Sequence, residues 1–287
     1  MCENGDINTF PKFSVLMSLY YKEKAEYLKE CLESLENQTV KADEWVIVKD
    51  GPLTDELEKV LKRYEAKYSN LIRYVVFEEN QRLGLALKAG VEACTHEIIA
   101  RMDTDDICVP NRFEIQLKEF MNNPELDICG SHIKEFDDIP ENYHSVRKVP
   151  LTNEDIIQYQ KRRSAYNHMT VMFKKSSVLK AGNYEHAPLM EDDMLWTRMI
   201  IAKCIGMNID DYLVYARTGL GMIERRGGWS YFKKYKASRK KVYQLGLASY
   251  WDYMYTLVIQ LMVALMPGIL RKYVFTLFLH RKDVRRD

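Results

Sequence analysis

Glu97 Ile98 Ile99 Ala100 Arg101 Met102 Asp103 Thr104 Asp105 Asp106 is the stretch whose reading decides the fold: an apolar, β-prone run that delivers three carboxylates. In an open α/β sheet, ligands bind beyond the carboxyl ends of the strands, so acids at that place face a ligand site. Clustered carboxylates attract a divalent cation, and Mg²⁺-like ions are usually held by one or two carboxylates together with phosphate oxygens. The spacing alone is weak, since two Asp separated by one residue should occur about once by chance in a chain of this Asp content. The plain alternative is a solvated turn after a strand, and the neighbouring segments decide between them.

Upstream, Phe13 to Leu19 is a short apolar run, after which Tyr27, Leu28, Cys31, Leu32 and Leu35 recur at helical spacing. The cycle repeats with a strand at Glu44–Val48 that ends in Lys49 Asp50 Gly51 Pro52, then a helix marked by Leu57, Val60, Leu61 and Tyr64. A third strand spans Leu71–Phe77, a third helix spans about Gly84–Ala93, and the fourth strand is the one that delivers Asp103. Strands alternating with helices imply parallel pairing, right-handed crossovers and helices on both faces.

Downstream the rhythm changes. Pro110 opens a helix to about Met121, Leu126–Ile133 reads as a strand, and Thr152–Gln160 reads as a helix with a Thr or Asn cap. His168–Phe173 is expected to be a strand. Glu191–Ala202 is expected to be a helix, its first-turn acids favoured by the macrodipole. There is no internal repeat and no low-complexity linker.

The 287 residues allow one large domain or two small ones. With 42 Lys and Arg against 41 Asp and Glu, the balance argues against nucleic acid as a partner. Charge is uneven, however: from Arg217 onward the chain is basic, which points to an anionic surface or ligand. The six cysteines are far apart without a Cys-x-x-Cys pair, so they read as reduced thiols rather than a zinc site or disulfide framework. Met1–Asp6 lacks the features of a signal peptide, and a cytoplasmic location is expected.

Tyr253–Leu270 carries no charge but includes Gln260, Pro267 and Gly268. A spanning helix needs about 20 predominantly apolar residues, so this segment is at the lower limit. Three readings stand: an interfacial helix, a span, or an ordinary core helix. The flanking Arg271, Lys272, Arg281 and Lys282 favour the first, on anionic lipid.

Four blocks, in order, resemble the family 2 glycosyltransferases of bacterial surface polysaccharide synthesis, which have the GT-A fold. They are Ser14–Tyr20 with Val46–Gly51, then Asn80–Gly90, then Ala100–Ile107 with Pro110 and Arg112, and finally His168–Phe173 with Gly182 Asn183 Tyr184 and Glu191–Trp196. The Arg217–Trp229 block looks, more loosely, like amylovoran-type and O-antigen members. The resemblance implies an α/β, Rossmann-like nucleotide-sugar-binding domain with a mixed central sheet, followed by a helical, membrane-associating C-terminal region. On that basis residues 1–216 form the catalytic domain, with a nucleotide half at 13–107 and an acceptor half at 108–216, and 217–287 form the basic, apolar tail.

The implied chemistry is inverting, metal-dependent transfer from a UDP-sugar to a lipid-linked saccharide, peripheral on the inner face of the cell membrane. A divalent cation, Mn²⁺ or Mg²⁺, would offset the charge that develops on the leaving diphosphate. By resemblance Asp105 is the main metal ligand, Asp103 lies near ribose and metal, and Asp106 is not expected to ligate. Asp50 would hydrogen-bond base or ribose, Tyr20 would stack on the base, and Arg82 and Gly84 would face the nucleotide from the third helix start. Asp192 would take the acceptor hydroxyl proton. Here Asp193 departs from the commoner spacing of the second acid, leaving the register open. His168 would contact phosphate or metal, or be a buried strand histidine. Arg225 and Arg226 would close over diphosphate, sit on lipid phosphate, or be solvated.

Each residue also has a bland reading. Asp50 suits a β-turn, Tyr20 a half-buried aromatic, Arg82 and Gly84 a plain helix start, and the acids at 191–193 helix capping. Two other functions fit the same parts: a nucleotidyltransferase, or a non-catalytic membrane-associated assembly subunit. The acids Asp50, Asp103, Asp105 and Asp192 together argue against the subunit, since a scaffold does not need them.

Overall fold

The computed structural model describes residues 10–187, 189–218 and 228–266. Its first half is three βα repeats and a strand: β1 (Phe13–Leu19), α1 (Ala25–Glu36), β2 (Glu44–Lys49), α2 (Asp55–Lys67), β3 (Ile72–Val76), α3 (Leu83–Ala93) and β4 (Ile98–Arg101). These four strands pair in parallel in the order β3-β2-β1-β4. The central ones are near-continuous apolar runs because both of their faces are covered. In β1, Phe13, Val15, Met17 and Leu19 pack with α1, α2 and the later helix α4 (Arg112–Asn122), while Leu16 packs on the opposite face with α3. Alternation across the strand sends neighbouring side chains into two different cores. Each such buried side chain stabilises by about 1.5–3 kcal/mol relative to exposure.

The second half comprises β5 (Ile107–Cys108), α4 (Arg112–Asn122), β6 (Leu126–Phe136), β7 (Ser145–Arg147), α5 (Asn153–Gln160), β8 (Met172–Lys174), α6 (Lys175–Lys180), α7 (Glu191–Ile201) and β9 (Ile205–Arg217). Here the sheet becomes mixed: β8 is antiparallel to β4 and β6, β9 is parallel to β6, and β5 is antiparallel to β9. Strand β5 follows β4 closely in sequence yet lies at the far end of the strand order, so the sheet curls back on itself. That curl brings the end of β9 against the acids after β4. Two helices follow, α8 (Gly228–Gln244) and α9 (Tyr250–Leu265).

Three local differences from the sequence reading have physical causes. His168–Thr170 is a 3-10 turn, and the strand begins only at Met172. The Thr170 hydroxyl donates to Asn167 O (2.8 Å) and accepts from Ser131 N (3.0 Å), so side-chain bonds divert the backbone from the ladder. Strand β9 is absent from the sequence reading because Gly206, Asn208 and Asp210 Asp211 look like turn residues. A register shift against β6 between Ser131 and His132 accommodates the paired acids. Finally, α9 ends at Leu265, and no helix among the described residues is long and apolar enough to cross a membrane. Pro267, Gly268 and the basic residues from Arg271 lie outside the described residues.

Candidate active site

Asp103, Asp105 and Asp106 each offer a carboxylate oxygen, and these atoms lie within 4.8 Å of one another. The loop carrying them is braced from beneath by Arg112, which is wholly buried and donates to Arg101 O at 2.8 Å. Glu23 adds a fourth acid, accepting from the Thr104 hydroxyl at 3.2 Å. Burial, then repulsion from Asp103 and Glu23, pushes the Asp105 carboxyl up to about 7. Asp106 is pushed well above the usual range by burial and by Asp105 and Asp103. Its Oδ1 accepts from Arg217 N at 2.8 Å, while its buried Oδ2 has no hydrogen-bond partner. A buried unpaired oxygen costs about 1–3 kcal/mol or more when charged, so this one calls for a proton or a cation. Three converging hard oxygen donors fit Mg²⁺ or Mn²⁺.

Arg101, the last residue of β4, is 2 % exposed and pairs with Asp103 Oδ1. Its Nε and Nη1 are buried without a partner, which leaves donor capacity at the site. Tyr184, wholly buried, feels the charges of Arg101, Asp192, Glu191 and Asp103, so one ring lies among acids from both halves of the chain. His168 sits on that ring's far partners: Nε2 is 2.9 Å from the Tyr184 hydroxyl and the imidazole packs edge-on against Trp196. Burial, then Arg101, holds it well below the usual histidine range, hence neutral. It does not join the carboxylate cluster.

Asp50 directly follows β2 and is buried. Its Oδ1 accepts from Gln81 N (2.6 Å) and its Oδ2 from Asn80 Nδ2 (2.8 Å), tying the loop before α3 to the sheet. Gly51 is required beside it: φ is +88° and a Cβ would meet Asn80 N at 2.8 Å. Arg82, exposed at the start of α3, has φ +71°, a conformation a side chain adopts only under constraint. Gly84 is buried, and a Cβ there would lie 2.1 Å from Glu185 O and 3.4 Å from Glu191 Cβ. It therefore lets the start of α3 abut the start of α7. Tyr20, beyond β1, is 41 % exposed.

Asp192 lies in the first turn of α7. Burial, then repulsion from Asp193 and Glu191, raises its carboxyl to about 7. The adjacent Asp193 is occupied structurally, accepting from Gln160 Nε2 at 2.8 Å and lying 3.6 Å from the buried Arg239 of α8. Asp192, with Arg163, Asn167 and His168, lines a small pocket of about 120 Å³.

The structure thus gathers Asp103, Asp105 and Asp106 into one cluster, and the charges of both Asp103 and Asp192 reach Tyr184. Arg225 and Arg226 lie outside the described residues. Arg101, Arg217, Glu23 and Tyr184 carry no role in the sequence reading. For Arg101 a signal existed, because it closes the strand that leads into the acids, whereas Arg217 closes β9, which the sequence does not reveal.

The family described as Glycosyl transferase family 2 matches residues 14–181. The chain belongs to this family. The family 2 glycosyltransferase is 44% identical over 238 residues to the amylovoran biosynthesis glycosyltransferase AmsE of Erwinia amylovora, covering 82% of this chain and 86% of that protein. It is 36% identical over 276 residues to a UDP-Gal:alpha-D-GlcNAc-diphosphoundecaprenol beta-1,3-galactosyltransferase of Escherichia coli, covering 96% and 98%. In structure it matches the mannosyltransferase PcManGT of Pyrobaculum calidifontis, solved with GDP-Man and Mn²⁺, with TM-score 0.64 and 14% identity over 94% of this chain and 76% of that one. The fold is therefore GT-A, and family membership selects glycosyl transfer over nucleotidyl transfer.

Proposed function

We propose that this family 2 glycosyltransferase moves a sugar, with inversion, from a UDP-sugar to a lipid-linked saccharide in bacterial surface polysaccharide synthesis, at the inner face of the membrane. The observation that carries the reading is the three-carboxylate cluster with one unpartnered buried oxygen, with a further acid of raised pKa, Asp192, whose charge reaches the same Tyr184 that Asp103 influences. The names of the Erwinia and Escherichia relatives support the donor, acceptor and pathway class.

In this reading Asp105 and Asp103 hold the cation, with the Asp106 carboxylate beside them. When bound, the cation offsets charge on the departing diphosphate. The unpartnered nitrogens of Arg101 supply further donors to an anion in the same place. Asp50 keeps spare acceptor capacity after its two bonds to the 80–81 loop and serves the base or ribose, with Tyr20 stacking and Arg82 at the nucleotide edge. Gly84 shapes the wall between α3 and α7. Asp192 takes the acceptor hydroxyl proton: a pKa near the working pH suits a general base, and its neighbour Asp193 is already committed to Gln160 and Arg239. His168, neutral and bonded to Tyr184, orients that ring. The exposed apolar residues of α9 meet the bilayer surface.

The test is incubation of purified protein with a panel of UDP-sugars, Mn²⁺ and a lipid diphosphate sugar, measuring UDP release and product mass. Release with one donor is expected; none with any donor sinks the proposal.

A further inference from the structure

A groove of about 1320 Å³ runs from the Lys148–Pro150 segment, past α5 and the loop after it, to α9. One wall is basic, formed by Lys148, Lys161, Arg162 and Arg163, with Asp155 and Asp252 the only groups of opposite sign among the described residues that line the groove. The other wall is the apolar side of α9, with Trp251, Tyr255, Ile259 and Val263. The basic wall is built in place. Arg162 Nε donates to Asp252 Oδ1 at 2.6 Å and its guanidinium lies 4.9 Å from the Tyr255 ring centre. Asp252 is itself fixed by a capping box with Ser249.

Two features orient the groove. The small pocket that reaches Asp192 shares Lys148, Val149, Tyr159 and Arg163 with it, so the two are direct neighbours. At the other end the exposed residues Trp251, Tyr255, Val258, Met262 and Leu265 recur every three or four positions, forming an apolar stripe along α9. Monomeric soluble proteins rarely leave such a stripe open unless it meets an apolar partner. From inside to outside the order is acid, cations, apolar stripe.

We infer that this groove seats the acceptor's diphosphate and the first isoprenoid units of its lipid. The reacting hydroxyl lies at Asp192, the diphosphate at Arg163, Arg162 and Lys148, and the tail runs along Tyr255 and Ile259 toward Met262 and Leu265. The inference rests on the reading that the acceptor is a lipid-linked saccharide. Charge complementarity selects this occupant, since a diphosphate matches the cationic wall and a hydrocarbon tail the apolar one.

The test measures acceptor KM for a sugar diphosphate prenol, the same sugar diphosphate without a tail, and a neutral alkyl glycoside, in detergent. Lys148→Glu with Arg163→Glu should raise the ratio of KM for the diphosphate prenol to KM for the neutral glycoside at least tenfold. Tyr255→Glu with Ile259→Glu should raise the ratio of the tailed to the tailless diphosphate by a similar factor. UDP binding by calorimetry checks that the variants fold. If the wild type uses no diphosphate prenol, the lipid-acceptor reading fails and the groove assignment falls with it. If it does and both ratios stay within twofold, the groove assignment alone is wrong. Loss of vesicle binding without a change in ratio gives the groove to the bilayer, and a dimer-to-monomer shift gives it to a second copy; either overturns the inference.

Discussion

The backbone N–H of Arg217 donates to Asp106 Oδ1 at 2.8 Å, joining the last residue of β9 to the acid loop after β4. The Arg217 side chain continues the clamp: Nε donates to Asp105 O (3.1 Å), Nη1 to Asp137 O (3.0 Å), Nη2 pairs with Glu30, and the guanidinium lies 3.9 Å from the Tyr27 ring centre. The second half of the chain thus sets the shape of a site whose ligands come from the first half.

Arg217→Ala should loosen that clamp. Glu30 is partly exposed, so losing that ion pair costs only about 0.2–1 kcal/mol, and the lost bonds to Asp105 O and Asp137 O cost about 0.5–1.5 kcal/mol each. A drop in melting temperature and weaker Mn²⁺ binding, read by calorimetry, are expected; a variant with unchanged Mn²⁺ affinity would separate Arg217 from the site.

The raised carboxyls at Asp105 and Asp106 make the cation-free protein less stable at higher pH. Their folded pKa values exceed the unfolded value of about 3.9. The native state therefore holds protons that the unfolded chain has released, and stability is lost as pH rises from about 4 through about 7. In EDTA the melting temperature should fall across that window. Mn²⁺ at a hundred times its Kd should restore about 2.7 kcal/mol at pH 8. Asp106→Asn should flatten the EDTA profile.

Asp192 works as a base only when deprotonated, so kcat/KM at saturating Mn²⁺ should climb with pH through about 7 and level off above it. Asp192→Asn should keep UDP binding and lose transfer by at least about 10²-fold, the low end of a general base's contribution. Retained transfer would remove Asp192 from the role.

Asp193→Asn should act the other way. It breaks the contact with Arg239 and leaves the Gln160 bond partly in place, so thermal stability should fall more than kcat. An activity loss matching that of Asp192→Asn at unchanged melting temperature would move the base to Asp193.

Gly84→Ala should separate α3 from α7, because the new methyl would lie 2.1 Å from Glu185 O, which is backbone. Overpacking of this kind typically costs about 1–3 kcal/mol. Thermal melts and donor KM should both worsen.

The βα repeats were legible because their signals are local: β1, β2 and β4 are apolar runs that end at polar turns, and α1 and α2 show helical spacing. Asp50, Asp103, Asp105 and Asp192 could be named because the blocks that resemble family 2 glycosyltransferases contain them, just after a strand or at a helix start. Strand β9 was not legible, since Gly206, Asn208 and Asp210 Asp211 resemble a loop until β6 supplies the partner. The 3-10 turn at His168 was hidden for the same reason: the Thr170 bonds that impose it reach Ser131, far away in sequence.

By itself the sequence determined the alternation of strand and helix, the family blocks and the acids at strand ends, because periodicity and short motifs need only neighbouring residues. The tertiary structure alone decided that Asp106 joins Asp103 and Asp105, that Arg101 and Arg217 frame them, and that Asp193 belongs to Gln160 and Arg239. Those outcomes depend on burial and on contacts between distant segments, where a charge loses its water and its nearest partner sets its protonation.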